Sequence, residues 1–102
     1  MPAYWIAHVT VTDPARYKGY QALAPHAFAK FGGKFLARGG ASDSPEGAEF
    51  ERHVVIEFPN LATARACYAS PEYAEALRLR LNAAEADIII IAGYEGLQPG
   101  GA

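Results

Sequence analysis

Three groups of residues in this chain combine side-chain type and spacing in ways that can carry chemistry. The first is His8, His53 and Glu57. Counting by two along extended chain puts His53, Val55 and Glu57 on one face of a strand, and puts His8 on the face opposite Trp5 of another. If the two strands are neighbours, His8 lies diagonally between His53 and Glu57. Two imidazoles and a carboxylate can form an acid–base pair or ligate a divalent cation. The plainer alternative is a hydrogen-bonded polar patch inside an interface, or exposure at the strand ends, and the set assigns no metal by itself.

The second group is Arg38 with Gly39-Gly40. An arginine that closes a strand beside flexible glycines can hold a carboxylate or phosphate with its two-pronged guanidinium. Equally, Arg38 can pair with an acidic residue such as Glu57 or Asp43, with the glycines serving backbone conformation alone. The other basic residues weighed, Arg16, Lys18, Lys30, Arg65, Arg78 and Arg80, fall on helical segments, where solvation is the ordinary fate of a charge. Arg38 is therefore the expected anion contact, supported by one or more of His8, His26 and His53. The third group is aromatic: Tyr17, Tyr20, Phe28, Phe31, Tyr68 and Tyr73, with His26 just after Pro25. Rings at helical spacing form core, or line a pocket between helices and sheet. A kink at Pro25 would aim His26 at such a pocket; otherwise it is an exposed helix residue.

Several signals are missing. There is no phosphate loop, Rossmann glycine pattern, nucleophile elbow or H-E-x-x-H, so ATP and NAD are not expected and no cofactor is assigned. A net charge of −2 with nine scattered Lys and Arg makes no stripe for nucleic acid. The segment R-H-V-V-I-E-F at 52–58 lacks the aromatic and basic pattern of an RNA-recognition strand. Cys67 is the single cysteine, so an internal disulfide or multi-cysteine metal site cannot form, and a small buried apolar role is expected. The longest pure apolar run, Ile88–Ala92, is too short to span a bilayer. No membrane partner is expected, and the cytoplasm is the default location.

The elements that must position these residues follow from pattern. One hundred and two residues, about half of them apolar, suit one domain with one core. A first strand runs from Tyr4 to Val11. Asp13 caps a helix with Pro14 in its first turn; Pro25 should kink or split that helix, and Gly32-Gly33 ends it. Strands follow at Lys34–Arg38 and Arg52–Phe58, joined by a polar connection over 41–50. Asn60 caps a short helix, Leu61 to Tyr68. Ser70-Pro71 starts another, with Tyr73, Leu77, Leu81 and Ala84 as its stripe. The last strand is roughly Ala86 to Tyr94. Residues 1–95 form the domain, and the glycine- and proline-bearing tail 96–102, like the 41–50 connection, is expected to be mobile.

The order β-α-β-β-α-β is that of the ferredoxin-like split unit, an α+β fold with a four-stranded antiparallel sheet and helices on one face. The expected strand order is 4-1-3-2, with strands one and three side by side and, from right-handed crossovers, parallel. Helices cover one sheet face only, so the other should be polar if it meets water. It is not. Ile88 to Ile91 run consecutively, so one pair points away from the helices in either register, alongside Ile6, Val55 and Tyr4. Such a stripe marks an interface, and the same face of a second copy is its natural cover. A homodimer is expected.

Four blocks carry a family resemblance: A-Y-W-I-A-H-V-T-V-T-D-P-A-R-Y-K-G-Y near the start, F-G-G-K-F-L-A-R-G-G at 31–40, V-V-I-E-F-P at 54–59 and Y-A-S-P-E-Y-A-E-A-L-R-L-R at 68–80. In order and spacing, from residue 3 to about 94, they resemble domain-of-unknown-function family 1330 of the dimeric α/β-barrel superfamily. The resemblance implies a ferredoxin-like fold and a dimer whose two sheets close a barrel. It implies no reaction and carries over no catalytic residues. Superfamily relatives include cofactor-free monooxygenases, lactone isomerases, haem enzymes and stress-responsive binding proteins, which is fold-level analogy only. The function expected is binding of a small organic, possibly anionic, molecule. The alternative is a cofactor-independent enzyme of monooxygenase or isomerase type acting on a small organic acid or aromatic ring; a purely structural dimerisation module is a third reading. A closed, dry aromatic core would indicate no ligand, and a cavity with convergent His, Arg or Glu would favour an enzyme.

Overall fold

Alternation in the first strand sorts the molecule into two sides. In the computed structural model, which describes residues 1–101, Ala3, Trp5, Ala7 and Val9 of β1 (Ala3–Val11) are buried, and Tyr4, Ile6, His8 and Thr10 between them are only partly covered. The other strands are β2 (Lys34–Arg38), β3 (Arg52–Phe58) and β4 (Ala84–Ala92). The helices are α1 (Pro14–Lys30), α2 (Leu61–Tyr68) and α3 (Pro71–Arg80). The sheet order is β2-β3-β1-β4 and every neighbouring pair is antiparallel. This is a ferredoxin-like α+β fold with its helices on the Trp5 side. The tail expectation at residue 102 lies outside the described residues.

One expectation about direction is corrected. Strands β1 and β3 are neighbours, but they run antiparallel, from Ala3 opposite Phe58 to Val9 opposite Arg52. The crossover through α1 returns the chain as β2 in the direction of β1. Strand β3 then reverses and inserts between them, so it opposes both.

The helix boundaries rest on caps readable in the sequence. Asp13 accepts a hydrogen bond from the Arg16 amide at 3.2 Å, Asn60 from Thr63 at 2.8 Å and the Ser70 hydroxyl from Tyr73 at 3.1 Å. Each satisfies a donor that the helix itself leaves free. Helix α1 ends where Gly32 adopts φ +75 and the Gly33 amide donates to the Phe28 carbonyl at 2.7 Å, a left-handed turn that suits glycine. Pro25 does not split α1, which is continuous to Lys30; the ring removes only one internal donor. The stripe of α3 also differs from expectation. Tyr73, Ala76 and Arg80 are buried, whereas Leu81 is exposed and Ala84 already belongs to β4. Asn82 at φ 65, with the Ala83 amide donating to the Arg80 carbonyl at 2.9 Å, turns the chain straight into the strand.

Trp5 lies at the centre of the core. Its ring centroid is 5.1 Å from Phe28 of α1, 5.6 Å from Tyr68 of α2, 4.9 Å from Tyr73 of α3 and 6.0 Å from Phe58 of β3. The Phe28 and Tyr73 contacts are edge-to-face, a geometry that adds to area burial. Cys67 is buried, and burial, with a smaller push from Glu72, raises its thiol to about 11. That fits the apolar role expected for it. Trp5→Ala should cost about 3–5 kcal/mol of unfolding free energy, read by urea denaturation, while Tyr94→Ala, at a side chain 70% exposed, should change it by less than about 0.5 kcal/mol.

Candidate functional site

Between the sheet and helices α1 and α3 the aromatic packing is incomplete. A cavity with an interior void of about 40 Å³ remains, walled by Trp5, Tyr17, Tyr20, Phe28, Phe35 and Ile56. Three arginines line it as well, Arg38, Arg52 and Arg80. The lining contains no carboxylate, imidazole or thiol. A void of this size takes a few water molecules or the head of a small ligand, and falls short of the roughly 300 Å³ of an ordinary drug-sized pocket.

Each arginine reaches the cavity for a local reason. Arg52 shares its parity with Val54, Ile56 and Phe58, so it points to the helix side of β3. It crosses close over Gly39, where a Cβ would lie 2.9 Å from an Arg52 Nη and where φ is +65; only glycine suits that position. Arg80 lies seven residues after Tyr73, two helical turns along the same face of α3. Arg38 arrives through an irregularity. Phe35 opposes Ile56, but Ala37 opposes Val55 and Arg38 opposes Val54, so one extra residue, Leu36, bulges out of β2. Simple alternation from Phe35 would send Arg38 to the far side of the sheet. The bulge returns it to the cavity side, with its guanidinium 4.3 Å from the Phe35 ring centroid. No pair forms with Glu57 or Asp43: the ion pairs among the described residues are Lys30–Glu72 and Arg78–Glu75.

These charges act on a buried hydroxyl network. The Tyr20 and Tyr73 hydroxyls are 2.8 Å apart, and the Arg80 guanidinium lies 5.4 Å from the Tyr20 ring centroid. Burial pushes Tyr17, Tyr20 and Tyr73 above the ordinary phenol range. At Tyr17 the opposing pull comes from Arg52, Arg80 and Arg38, so all three cations are felt at one phenol. The tyrosines are therefore neutral hydrogen-bonding groups at ordinary pH.

The expected site residues divide between the two faces of the sheet. His8 and His53 do meet, directly across the β1–β3 pair rather than diagonally, with Nδ1 atoms 2.7 Å apart. They lie on the face away from the helices, so the sheet separates them from Arg38. Glu57 shares that face but sits four residues along β3 from His53, roughly 13 Å away at strand rise, opposite Tyr4 and Lys34. His26 is exposed on α1 and does not line the cavity. No group of three or more His, Cys, Asp or Glu among the described residues is placed to hold a metal ion. Of the aromatic set, Tyr17, Tyr20 and Phe28 line the cavity. Tyr73 touches it through Tyr20, while Phe31 and Tyr68 pack elsewhere. Arg52, Arg80 and Phe35 were not singled out by the sequence reading, although parity and the two-turn spacing from Tyr73 point to both arginines.

The family described as Domain of unknown function (DUF1330) matches residues 2–94. The chain belongs to this family. No curated protein matches it. Among solved structures, this DUF1330 chain is similar to a protein of unknown function from Rhodopseudomonas palustris, at 19% identity and a TM-score of 0.74, covering 93% of this chain and 84% of that one. It is also similar to a dimeric ferredoxin-like protein of unknown function from a Jannaschia species, at 12% identity and 0.70, covering 91% and 100%. A third similar structure is SnoaB, a cofactor-independent oxygenase from Streptomyces nogalater, at 14% identity and 0.63, covering 94% and 96%. At these identities the likeness establishes the fold. No helix of the DUF1330 chain is long and apolar enough to cross a membrane.

The raised tyrosines set an alkaline limit. An unfolded chain ionises its tyrosines near pH 10, whereas the folded chain holds these three protonated to higher pH. Stability is therefore fully present below about pH 10 and falls as the pH rises beyond it, because the unfolded state then releases more protons. Melting temperature measured from pH 8 to 11 should drop above about pH 10, and Tyr20→Phe should flatten part of that drop.

Proposed function

We propose that this chain is a small-molecule binding protein whose cavity holds a small organic anion against Arg38, Arg52 and Arg80. The observation that carries the reading is that three arginines, all acting on Tyr17, line an aromatic-walled cavity whose lining contains no acidic side chain. Buried charges in proteins are ordinarily paired, and a carboxylate supplies the bidentate acceptor that a guanidinium fork matches. Arginine stays protonated, so these groups hold and orient an anion but do not take a proton from it. The void favours a ligand of few atoms, or a larger one whose head alone enters.

The second reading, a cofactor-independent enzyme acting on a small organic acid or aromatic ring, draws support from the likeness to the SnoaB oxygenase. It also draws on the convergent arginines, which can stabilise negative charge developing on a bound substrate. Against it stands the absence of a carboxylate, imidazole or thiol from the lining, which leaves no ready proton acceptor at neutral pH. Binding is the better supported reading.

The working unit of this proposal is a homodimer. The face away from the helices carries Ile6, Val55, Ile89 and Ile91, and the last two are each 52% exposed in the single chain. The Jannaschia relative is described as dimeric. Two copies packed through this face would cover the isoleucines and enclose the His8–His53 pair. Sedimentation at micromolar concentration should give twice the chain mass, and Ile89→Glu should shift it to the monomer; a wild-type monomer would end the dimer reading. For the cavity, propionate and benzoate should raise the melting temperature by several degrees where propionamide and benzamide do not. Ligand at a hundred times Kd stabilises by about 2.7 kcal/mol. Arg38→Ala should abolish the shift while leaving the unliganded melting temperature nearly unchanged. Equal shifts from acids and amides would refute the anion site.

A further inference from the structure

The charge inside the cavity exceeds what one carboxylate can balance. Arg38, Arg52 and Arg80 carry three permanent positive charges, and none belongs to an ion pair among the described residues. Arg80 is only 8% exposed and its Nε is buried with no hydrogen-bond partner; the Nε of Arg52 is buried and unpartnered as well. The neighbours of Arg80 are the Tyr20 ring and the Tyr73 hydroxyl. Both tyrosines are held neutral by burial, so they solvate the cation without cancelling it. Arg38 occupies a different depth. It is exposed at the end of β2 and stacks on Phe35, which is itself 38% exposed. Between the two levels the walls are apolar and aromatic: Tyr17, Tyr20, Phe28 and Phe35.

Taking the anion-site reading as its basis, we infer that the ligand is a small dicarboxylate bound by its two ends. One carboxylate goes to Arg80 inside the cavity, and the other goes to Arg38 at the mouth, where the Arg52 guanidinium also lies, packed over Gly39. A monocarboxylate would leave two of the three cations uncompensated. A compact dianion such as phosphate would gather its charge at one depth and leave either Arg80 or Arg38 without a partner. A short methylene stem between two carboxylates matches both the separation in depth and the apolar wall between. The narrow void also fits, since only one end of the ligand has to enter it.

Isothermal titration calorimetry at pH 7 on the full chain tests this with malonate, succinate and glutarate. Each is compared with its chain-matched monocarboxylate (propionate, butyrate or pentanoate), and inorganic phosphate serves as the compact control. At least one dicarboxylate should bind tenfold or more tightly than its partner and than phosphate. Arg38→Met, a change at an exposed side chain, should weaken that dicarboxylate tenfold or more, to the level its monocarboxylate reaches on the unaltered chain. Arg80→Lys, which keeps the charge and removes the fork, should weaken both. Matched pairs that bind equally would overturn the two-ended ligand and leave the anion site standing. Phosphate binding as tightly as the best dicarboxylate would also overturn it, in favour of a single-depth dianion. Failure of every carboxylate and of phosphate would remove the anion site itself.

Discussion

The indole of Trp5 touches an aromatic ring from each of the three helices and from the adjacent strand β3. Among the described residues, no other aromatic ring on the sheet meets rings from so many elements. Because Trp5 is on β1, a central strand, the helix layer is held to the middle of the sheet and closes down tightly there. Away from Trp5 the cavity is walled by Tyr17 and Tyr20, and the filling is done partly by arginine side chains. The cavity therefore lies where the aromatic core gives way to cations. Its position follows from where the large rings are, and it needs no special loop or lid.

The sheet then acts as a partition. Residues of one parity meet the helices and residues of the other face away, so a shift of one position transfers a side chain between two unrelated environments. Arg38 shows how much depends on this. Without the bulge at Leu36 it would stand opposite His53 on the outer face; with it, Arg38 stands opposite Val54 above the cavity. The histidine pair, directly joined across β1 and β3, belongs to the face with Ile6 and Ile89, and the arginines belong to the face with Trp5. One chain thus carries two polar features that share no atoms and have separate surroundings.

Much of the architecture was legible because it is local. Asp13-Pro14, Asn60 and Ser70-Pro71 cap their helices as their residue types require, and the strand spans follow the alternation of Val54, Ile56 and Phe58. The direction of β3 depends on which strand the crossover skips, a global property that no window of sequence displays. The site was less legible. Arg38 was expected with the histidines because it closes a strand beside Gly39-Gly40 while the other basic residues fall on helices, and the bulge that sets it on the helix side leaves no mark on the sequence K-F-L-A-R. Arg80 was expected in solvent because basic residues on helices ordinarily are. Its seven-residue spacing from Tyr73 and the shared parity of Arg52 with Val54 were the available signals. His26 was set at the cavity on the strength of a kink at Pro25, with exposure as the alternative; α1 runs continuously through Pro25 as the apolar face of Tyr17, Ala24, Ala27 and Phe28 packs, and His26 is exposed.

Cys67 gives this molecule an internal clock. Its sulfur is fully buried and contacts the Ala27 carbonyl at 3.7 Å, and burial raises its thiol to about 11. A reagent that alkylates thiolates cannot reach it until α2 leaves the sheet. The alkylation rate of this single sulfur therefore counts openings of the helix layer. It does so without any label being added to the chain.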